Sequence, residues 1–578
     1  MKLKISFFFS FLFFFLSFVS SQEKIVKLKL LETTDIHGNY FPYSFIRKKE
    51  STGSLARVYA MVQKERKIYG DNLILVDNGD ILQGNPSSYY YNYIDTISPH
   101  VCAEMMNFMG YNVGNMGNHD VETGHKVFDR WIASCHFSVL GANIIRTSDN
   151  TTYCPPYAVF EREGVKVVVL GMITSAIPVW LAENLWSGMR FDDMKETARK
   201  WMKKIRDEEH PDLVVGLFHS GQDAMILGEK YIENASLDVA REIPGFDIVM
   251  IGHDHIPDCK KVMNVAGDSV LIINPANNGV MVADVDVTLK VKNGKVSSKE
   301  IKGTLKEVQE YGVNKNFMTK FAAQYRAINK FVSKRLGYLT KTVSSWPAYL
   351  GPAPFVDLVH EFQLNISGAD VSFTAPLSFD AEIKKGDISV SDMFNLYKYE
   401  NMLYTMKLSG KEIKNYLEES YYLWTNRMKS PEDHLIWLNE DFNKDEERTT
   451  FKNFSFNFDS AAGIIYTVDV TKPKGHKINI ISMANGKPFR MDHFYKVALN
   501  SYRGNGGGEL LTKGAGIPQN ELRKRIIKST DKDLRFYIMK YIEMYDTIHP
   551  KSLNCWKFIP EKWVKQAKER DARILIKH

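Results

Sequence analysis

Four stretches of this chain, "NLILVDNGD", "KVVVLGMIT", "DLVVGLFHSG" and "FDIVMIGHDH", are apolar at nearly every position and then turn polar within a residue or two. A strand with one wet face alternates apolar and polar side chains, so a strand that is apolar throughout must be covered on both faces. Helical spacing is predicted near residues 54–68, 98–109 and 193–207, between these runs. The pattern is α/β layering. From "VLIINPANNGVMVADVDVTLKVKNGKVSS" onward it changes to alternating strands, with a turn at Asn293 and Gly294 that closes the first domain.

A chain of 578 residues can bury more than one core. Its opening, "MKLKISFFFSFLFFFLSFVSSQ", has two lysines, a short apolar run and small residues, the form of a secretory leader over residues 1–21. The first domain is expected over 22–312. The stretch 313–339 is expected to be a linker helix, with Phe317, Phe321, Tyr325, Ile328 and Phe331 as its packing stripe, and a second, α+β domain runs over 340–578.

The formal charge of +7 falls by two when Lys2 and Lys4 leave with the leader, and no basic block marks a nucleic-acid polymer as partner. No second long apolar stretch supplies a stable membrane anchor once the leader is cleaved. The charged C-terminus excludes a lipid-anchor tail. Together these features predict export to an extracellular, periplasmic or lumenal space. Cys102, Cys135, Cys154, Cys259 and Cys555 are scattered with no CxxC pair; in an oxidising compartment they allow one or two disulfides. Sequons at Asn150, Asn234, Asn365 and Asn453 fit a glycoprotein. Nothing in the sequence fixes the oligomeric state.

The polar clusters sit at the C-terminal ends of predicted strands, where open α/β sheets hold ligands. They are Asp35 and His37 in "TTDIHG", Asp80 in "VDNGD", Asn118 and His119 in "GNHD", His219 in "GLFHSG", and His253 and His255 in "IGHDH". Carboxylate, imidazole and amide oxygen suit Zn, Mn or Fe, and thiolates are missing. Asp35, His37, Asp80, Asn118, His219, His253 and His255 are too many for one open ion site, so two divalent ions sharing a carboxylate are expected, with Asp80 as the bridge. Such a pair polarises a phosphoryl oxygen and holds a bridging hydroxide, which implies phosphate-ester hydrolysis.

The order D-x-H, G-D, G-N-H-D, H, G-H-x-H over residues 25–290 resembles the calcineurin-like metallophosphoesterases, and "GD" followed by "LQGNP" resembles their secreted 5′-nucleotidase and 2′,3′-cyclic-nucleotide phosphodiesterase branch. The resemblance implies a β-sandwich flanked by helices. It also implies one ion on Asp35, His37, Asp80 and His255, and a second on Asp80, Asn118, His219 and His253. His119 would meet the substrate as the catalytic histidine, steered by an acid three positions on. That acid is Glu122 where the family usually has Asp, and Asp120 is the competing carboxylate.

The second half resembles that branch's C-terminal substrate domain in "ISGADVSFTAPLSF", "YKYENMLYTMKLSG" and "YKVALNSYRGNGGGE". The resemblance places base-stacking aromatics at Tyr399 and Tyr502. Two expected arginines are replaced by Gly351 and Phe379, and a sugar-binding aspartate by Gly508 beside Glu509. Arg503, Lys384 and Lys385 are the available replacements. The expectation is therefore a hydrolase of nucleotide 5′-monophosphates, 2′,3′-cyclic nucleotides or both. Hydrolysis of nucleotide-sugar pyrophosphates is an alternative on the same metals, and a silent nucleotide-binding or surface protein an alternative from another class.

Overall fold

The computed structural model describes residues 23–223, 226–227, 231–440 and 450–575. The expected leader lies outside them. Two six-stranded sheets form the first domain. One runs, in spatial order, through Lys295–Glu307, Met281–Lys292, Glu23–Thr33, Leu73–Asp77, Val113–Asn115 and Ser138–Leu140. The other runs through Asp258–Met263, Ser269–Asn274, Ile248–Ile251, Leu213–His219, Val165–Ile173 and Tyr157–Arg162. Their central strands are parallel, with antiparallel pairing confined to the outer strands.

The strand period explains why these runs are apolar on both faces. Val165, Val167 and Val169 point between the sheets, against Val26, Leu28 and Leu30, while Val168, Leu170 and Met172 point outward to the helix Met194–Glu209. Helices Leu55–Tyr69, Val101–Met109 and His125–Ser134 cover the outer face of the first sheet. The result is an α/β sandwich flanked by helices. Its closing hairpin turns at Asn293 and Gly294, both with positive φ, as the asparagine–glycine pair anticipates.

Two amides stitch the sheets together near the site. Asn78 Nδ2 donates to Glu32 Oε1 and to the carbonyls of Phe218 and Met250, at 3.0, 3.1 and 3.2 Å. Asn115 Nδ2 donates to Asn78 Oδ1 and to the carbonyls of Met172 and Leu217, at 3.1, 2.8 and 3.0 Å. Both are fully buried, where an unpaired amide would cost about 1–3 kcal/mol.

The linker helix expected over 313–339 is two helices, Lys315–Lys320 and Ala322–Val332, broken at Phe321. Phe317, Phe321 and Ile328 join the core of the first domain, so the stripe fastens this segment to the sandwich. Beyond it lies an α+β domain whose five-stranded sheet runs Ser460–Ala462, Val371–Thr374, Phe494–Asn500, Met402–Ser409 and Ile526–Asp533. Helices Pro354–Ser367 and Gly410–Trp424 pack on it.

The domains meet through buried polar groups. Tyr89 donates to Asp533 Oδ2 at 3.0 Å, and the Arg535 guanidinium lies 5.1 Å from the Tyr89 ring and 3.9 Å from the Phe394 ring. Arg535 Nη1 is 3.9 Å from Glu400 Oε1, and both groups are buried. Asn505 Nδ2 donates to the Trp180 carbonyl at 3.2 Å. All five cysteines are unpaired thiols, so none of the disulfides the sequence allows is formed. Among the described residues no helix is long and apolar enough to cross a membrane.

Candidate metal centre and its cleft

Each loop bearing a predicted ligand leaves the C-terminal end of a strand. Asp35 and His37 follow Glu23–Thr33, Asp80 follows Leu73–Asp77, Asn118 opens the helix after Val113–Asn115, His219 ends Leu213–His219, and His253 and His255 follow Ile248–Ile251. The turns are strained. Asp35, His37, Asp80, His253 and His255 have φ of 50, 49, 54, 79 and 58°. Such conformations cost about 1–3 kcal/mol each and persist where surrounding structure enforces them. Gly117 makes room: a Cβ there would lie 2.2 Å from Asp80 Oδ1.

The ligands fall into two groups. Asp35, His37 and His255 converge, with His255 Nε2 3.1 Å from Asp35 Oδ1 and 3.0 Å from His37 Nε2. Asp80, His219 and His253 form the other. There Asn118 Oδ1 is 3.1 Å from His219 Nε2 and 2.8 Å from His253 Nδ1, and His219 Nε2 is 3.1 Å from Asp80 Oδ2.

The distal ring nitrogens are held by the protein. His37 Nδ1 donates to the Gln83 carbonyl at 3.0 Å, His219 Nδ1 to the Asn78 carbonyl at 2.6 Å, and His253 Nε2 to Glu233 Oε1 at 3.1 Å. His255 Nδ1 faces the Asn277 amide at 3.0 Å. These bonds aim the opposite nitrogens at the cluster, as the partners of metal-bound imidazoles do. Thr34 Oγ1 and the His253 backbone N–H fix Asp35 Oδ2, at 2.6 and 3.0 Å.

Electrostatics agree with a cation. Asp35 and Asp80 are fully buried; burial opposes their ionisation, but the surrounding histidines outweigh it and hold both carboxyls well below the usual range. Burial lowers the His219 pKa, yet Asp80 and Asp35 overcome it and carry the group up to about 10. His37, with burial and the His255 charge against it, falls to about 3. Two buried carboxylates thus draw positive charge into the site, as a proton on His219 or as a cation in its place, and the donor set fits divalent ions.

His119 lies between this centre and Glu122. Its Nδ1 is 2.5 Å from Glu122 Oε2, and its ring centroid is 5.4 Å from that of His37. Burial lowers its pKa, but the charges of Asp80 and Glu122 carry it to about 9. Asp120 is engaged elsewhere. Its carboxyl accepts the backbone N–H groups of Asp80, Ile81, Leu82 and Gly117, at 2.8 to 3.0 Å. It braces the turn and does not reach the His119 ring.

In the second domain Tyr399 and Tyr502 are half-buried and within electrostatic reach of each other. Arg503 corrects the sequence expectation. It is 2% exposed; it donates to both Asp459 oxygens, to Asn457 Oδ1, and to the carbonyls of Phe456 and Gly507. Those acceptors leave it nothing for a substrate. It also explains the missing aspartate, because a Cβ at Gly508 would lie 2.1 Å from Arg503 Nη1 and from Asn457 Oδ1. Glu509 is paired with Lys513 at 2.5 Å, Phe379 packs against Tyr349 and Phe451, and Lys384 and Lys385 are exposed.

Sequence reasoning missed Glu233, Asn277 and Trp180. The Trp180 ring stacks on His253, 5.7 Å between centroids at 28°. No local spacing marks any of the three.

The fold and both halves of the sequence have counterparts among known proteins. The family model for calcineurin-like phosphoesterases matches residues 28–257, and that for the 5′-nucleotidase C-terminal domain matches residues 333–513. A trifunctional nucleotide phosphoesterase of Bacillus subtilis is 28% identical over 93% of this chain, which spans 39% of that relative's length. A 2′,3′-cyclic-nucleotide 2′-phosphodiesterase/3′-nucleotidase of Yersinia enterocolitica is 25% identical over 93% of this chain and 89% of its own. The crystal structure of a 5′-nucleotidase precursor from Thermus thermophilus shares the fold, with a TM-score of 0.64 at 19% identity, covering 93% of this chain and all of that one.

Proposed function

Because the chain belongs to the calcineurin-like phosphoesterases and carries their 5′-nucleotidase C-terminal domain, we propose that it is an exported dinuclear-metal hydrolase of nucleotide phosphate esters. Its preferred substrates are 2′,3′-cyclic nucleotides, with nucleoside monophosphates second. The observation that carries the reading is the pair of donor clusters beside the His119–Glu122 dyad.

Asp35, His37, Asp80 and His255 would hold one divalent ion, and Asp80, Asn118, His219 and His253 the other. When bound, such ions supply Lewis-acid polarisation of the phosphoryl oxygens. His119 does the rest of the charge work. With Nδ1 tied to Glu122, its Nε2–H is the pole left to donate to a phosphoryl oxygen or to the leaving oxygen. Tyr399 and Tyr502 offer ring faces to the base, and stacking is worth about 1–3 kcal/mol per base whatever its identity.

The preference for diesters follows from charge. Arg503 is consumed by Asp459, and the Phe379 position is apolar and packed, so neither pairs with a dianionic monophosphate. A singly charged cyclic diester needs less cationic support. Export is read from the apolar N-terminal run.

Purified protein loaded with Mn²⁺ or Zn²⁺ is to be assayed on 2′,3′-cyclic AMP, 3′-AMP, 5′-AMP and UDP-glucose. The expected order of kcat/KM puts the cyclic diester first, by about tenfold over 5′-AMP. Turnover of UDP-glucose alone would assign the pyrophosphate reading, and no turnover of any would assign a silent binding protein.

A further inference from the structure

His253 is gripped from three sides. Its Nδ1 faces Asn118 Oδ1 at 2.8 Å, its Nε2 donates to Glu233 Oε1 at 3.1 Å, and its ring face meets the Trp180 indole at 5.7 Å and 28°. A hydrogen bond in the ring plane still lets an imidazole rock about the bonded axis. A stacked indole resists that rocking, because tilting the ring lifts it off a packed surface. Trp180 is itself packed on the core of the first domain.

One of these supports is met from the second domain by a short segment that also lies near the other. Asn505 Nδ2 donates to the Trp180 carbonyl at 3.2 Å, and Tyr502 lies within electrostatic reach of Glu233. Asn505 is 5% exposed, and its own carbonyl accepts Gln519 Nε2 at 2.7 Å, so it is fixed in the second domain before it reaches Trp180. Among the described residues His37 and His255 have no such link: their distal nitrogens face Gln83 and Asn277, both of the first domain.

We propose that Trp180 is a positioning residue for His253 and that Asn505 makes its grip depend on docking of the second domain, so that the ion position of Asp80, Asn118, His219 and His253 reaches its full affinity only in the docked molecule. The inference rests on the dinuclear reading above. By linkage, an ion at that position favours docking as much as docking favours the ion. The other position, on Asp35, His37, Asp80 and His255, takes its ligands and the partners of its distal ring nitrogens from the first domain alone.

The test uses the full chain and Mn²⁺. Metal-free wild type, W180A, W180F and N505A are titrated by calorimetry, and exchange coupling between the two ions is followed by EPR. Expected for W180A is a weaker ion that binds at least about tenfold less tightly, with the tighter one unchanged, and a coupled signal replaced by that of a lone ion. W180F keeps a stacking ring and recovers most of the affinity. N505A leaves the first domain's core intact, and a smaller loss of about threefold at the same position is expected. Wild-type affinities at both positions in W180A and N505A would overturn the proposal, as would equal loss of both ions, which would mean general damage. A wild type that binds fewer than two ions would instead overturn the dinuclear reading, and this inference with it.

Discussion

His119 and Asp120 are neighbours with opposite tasks. The imidazole is 29% exposed toward the cleft and steered by Glu122, whereas the Asp120 carboxyl is buried under four backbone donors. His119→Ala is expected to lower phosphodiester turnover by at least about 100-fold while metal content stays as in wild type, measured by steady-state kinetics and metal analysis on the same sample. Loss of metal together with turnover would make His119 a ligand instead. Asp120→Asn should show the reverse: a stability loss of about 1–3 kcal/mol in urea unfolding, with activity per folded molecule kept. The sequence could pose this choice, since both acids lie within three positions of His119. It could not settle it, because the donors that claim Asp120 include Asp80, Ile81 and Leu82 on another loop.

At the scale of elements, the site is a set of strand ends whose loops turn back sharply enough to face one another. Gly117 and Gly252 permit that approach: a Cβ on Gly252 would lie 2.2 Å from Thr34 Oγ1 and 2.9 Å from Asp35 Oδ2. Gly117→Ala and Gly252→Ala are each expected to weaken metal retention by about tenfold or more while circular dichroism keeps the native strand and helix signal. Strand ends were legible in sequence because an apolar run and the polar loop that follows it are contiguous. The props of the ligands were not: Glu233 lies 20 positions from His253, and Asn505 lies 325 from Trp180. The same limit explains Arg503. Its number of donors suggests a phosphate partner, and only the fold reveals that Asp459, 44 positions away, already holds it. The helix break at Phe321 went unseen because the apolar stripe runs on across it, keeping helical spacing on both sides.

At the scale of the whole molecule, two buried acids at the domain boundary share one base. Glu400 and Asp533 face the single guanidinium of Arg535, with Tyr93 and the Glu122 charge near Glu400. Burial pushes the Glu400 carboxyl from its ordinary 4.5 up to about 8, against the pull of Arg535. The folded molecule therefore keeps a proton there between pH 4.5 and 8 that the unfolded chain releases. This contribution is full below pH 4.5 and is lost as pH rises toward 8, with an upper bound of roughly 4–5 kcal/mol for a group so buried. Glu400→Gln, which cannot ionise, is expected to flatten the fall of Tm between pH 5 and 8.5 relative to wild type. An unchanged slope would locate the proton elsewhere.

Asn78 and Asn115 give the sandwich a mechanical property. Their side chains cross from one sheet to carbonyls on three strands of the other, at the edge where the ligand loops emerge. Asp35, His37, Asp80 and Asn118 belong to the first sheet and His219, His253 and His255 to the second, so each cluster is a jaw with one side rooted in each layer. If one sheet slid past the other by a single residue, both amide bridges would break and the jaws would open together. Resistance to shear between two layers thus sets the gap between the two sides of each jaw.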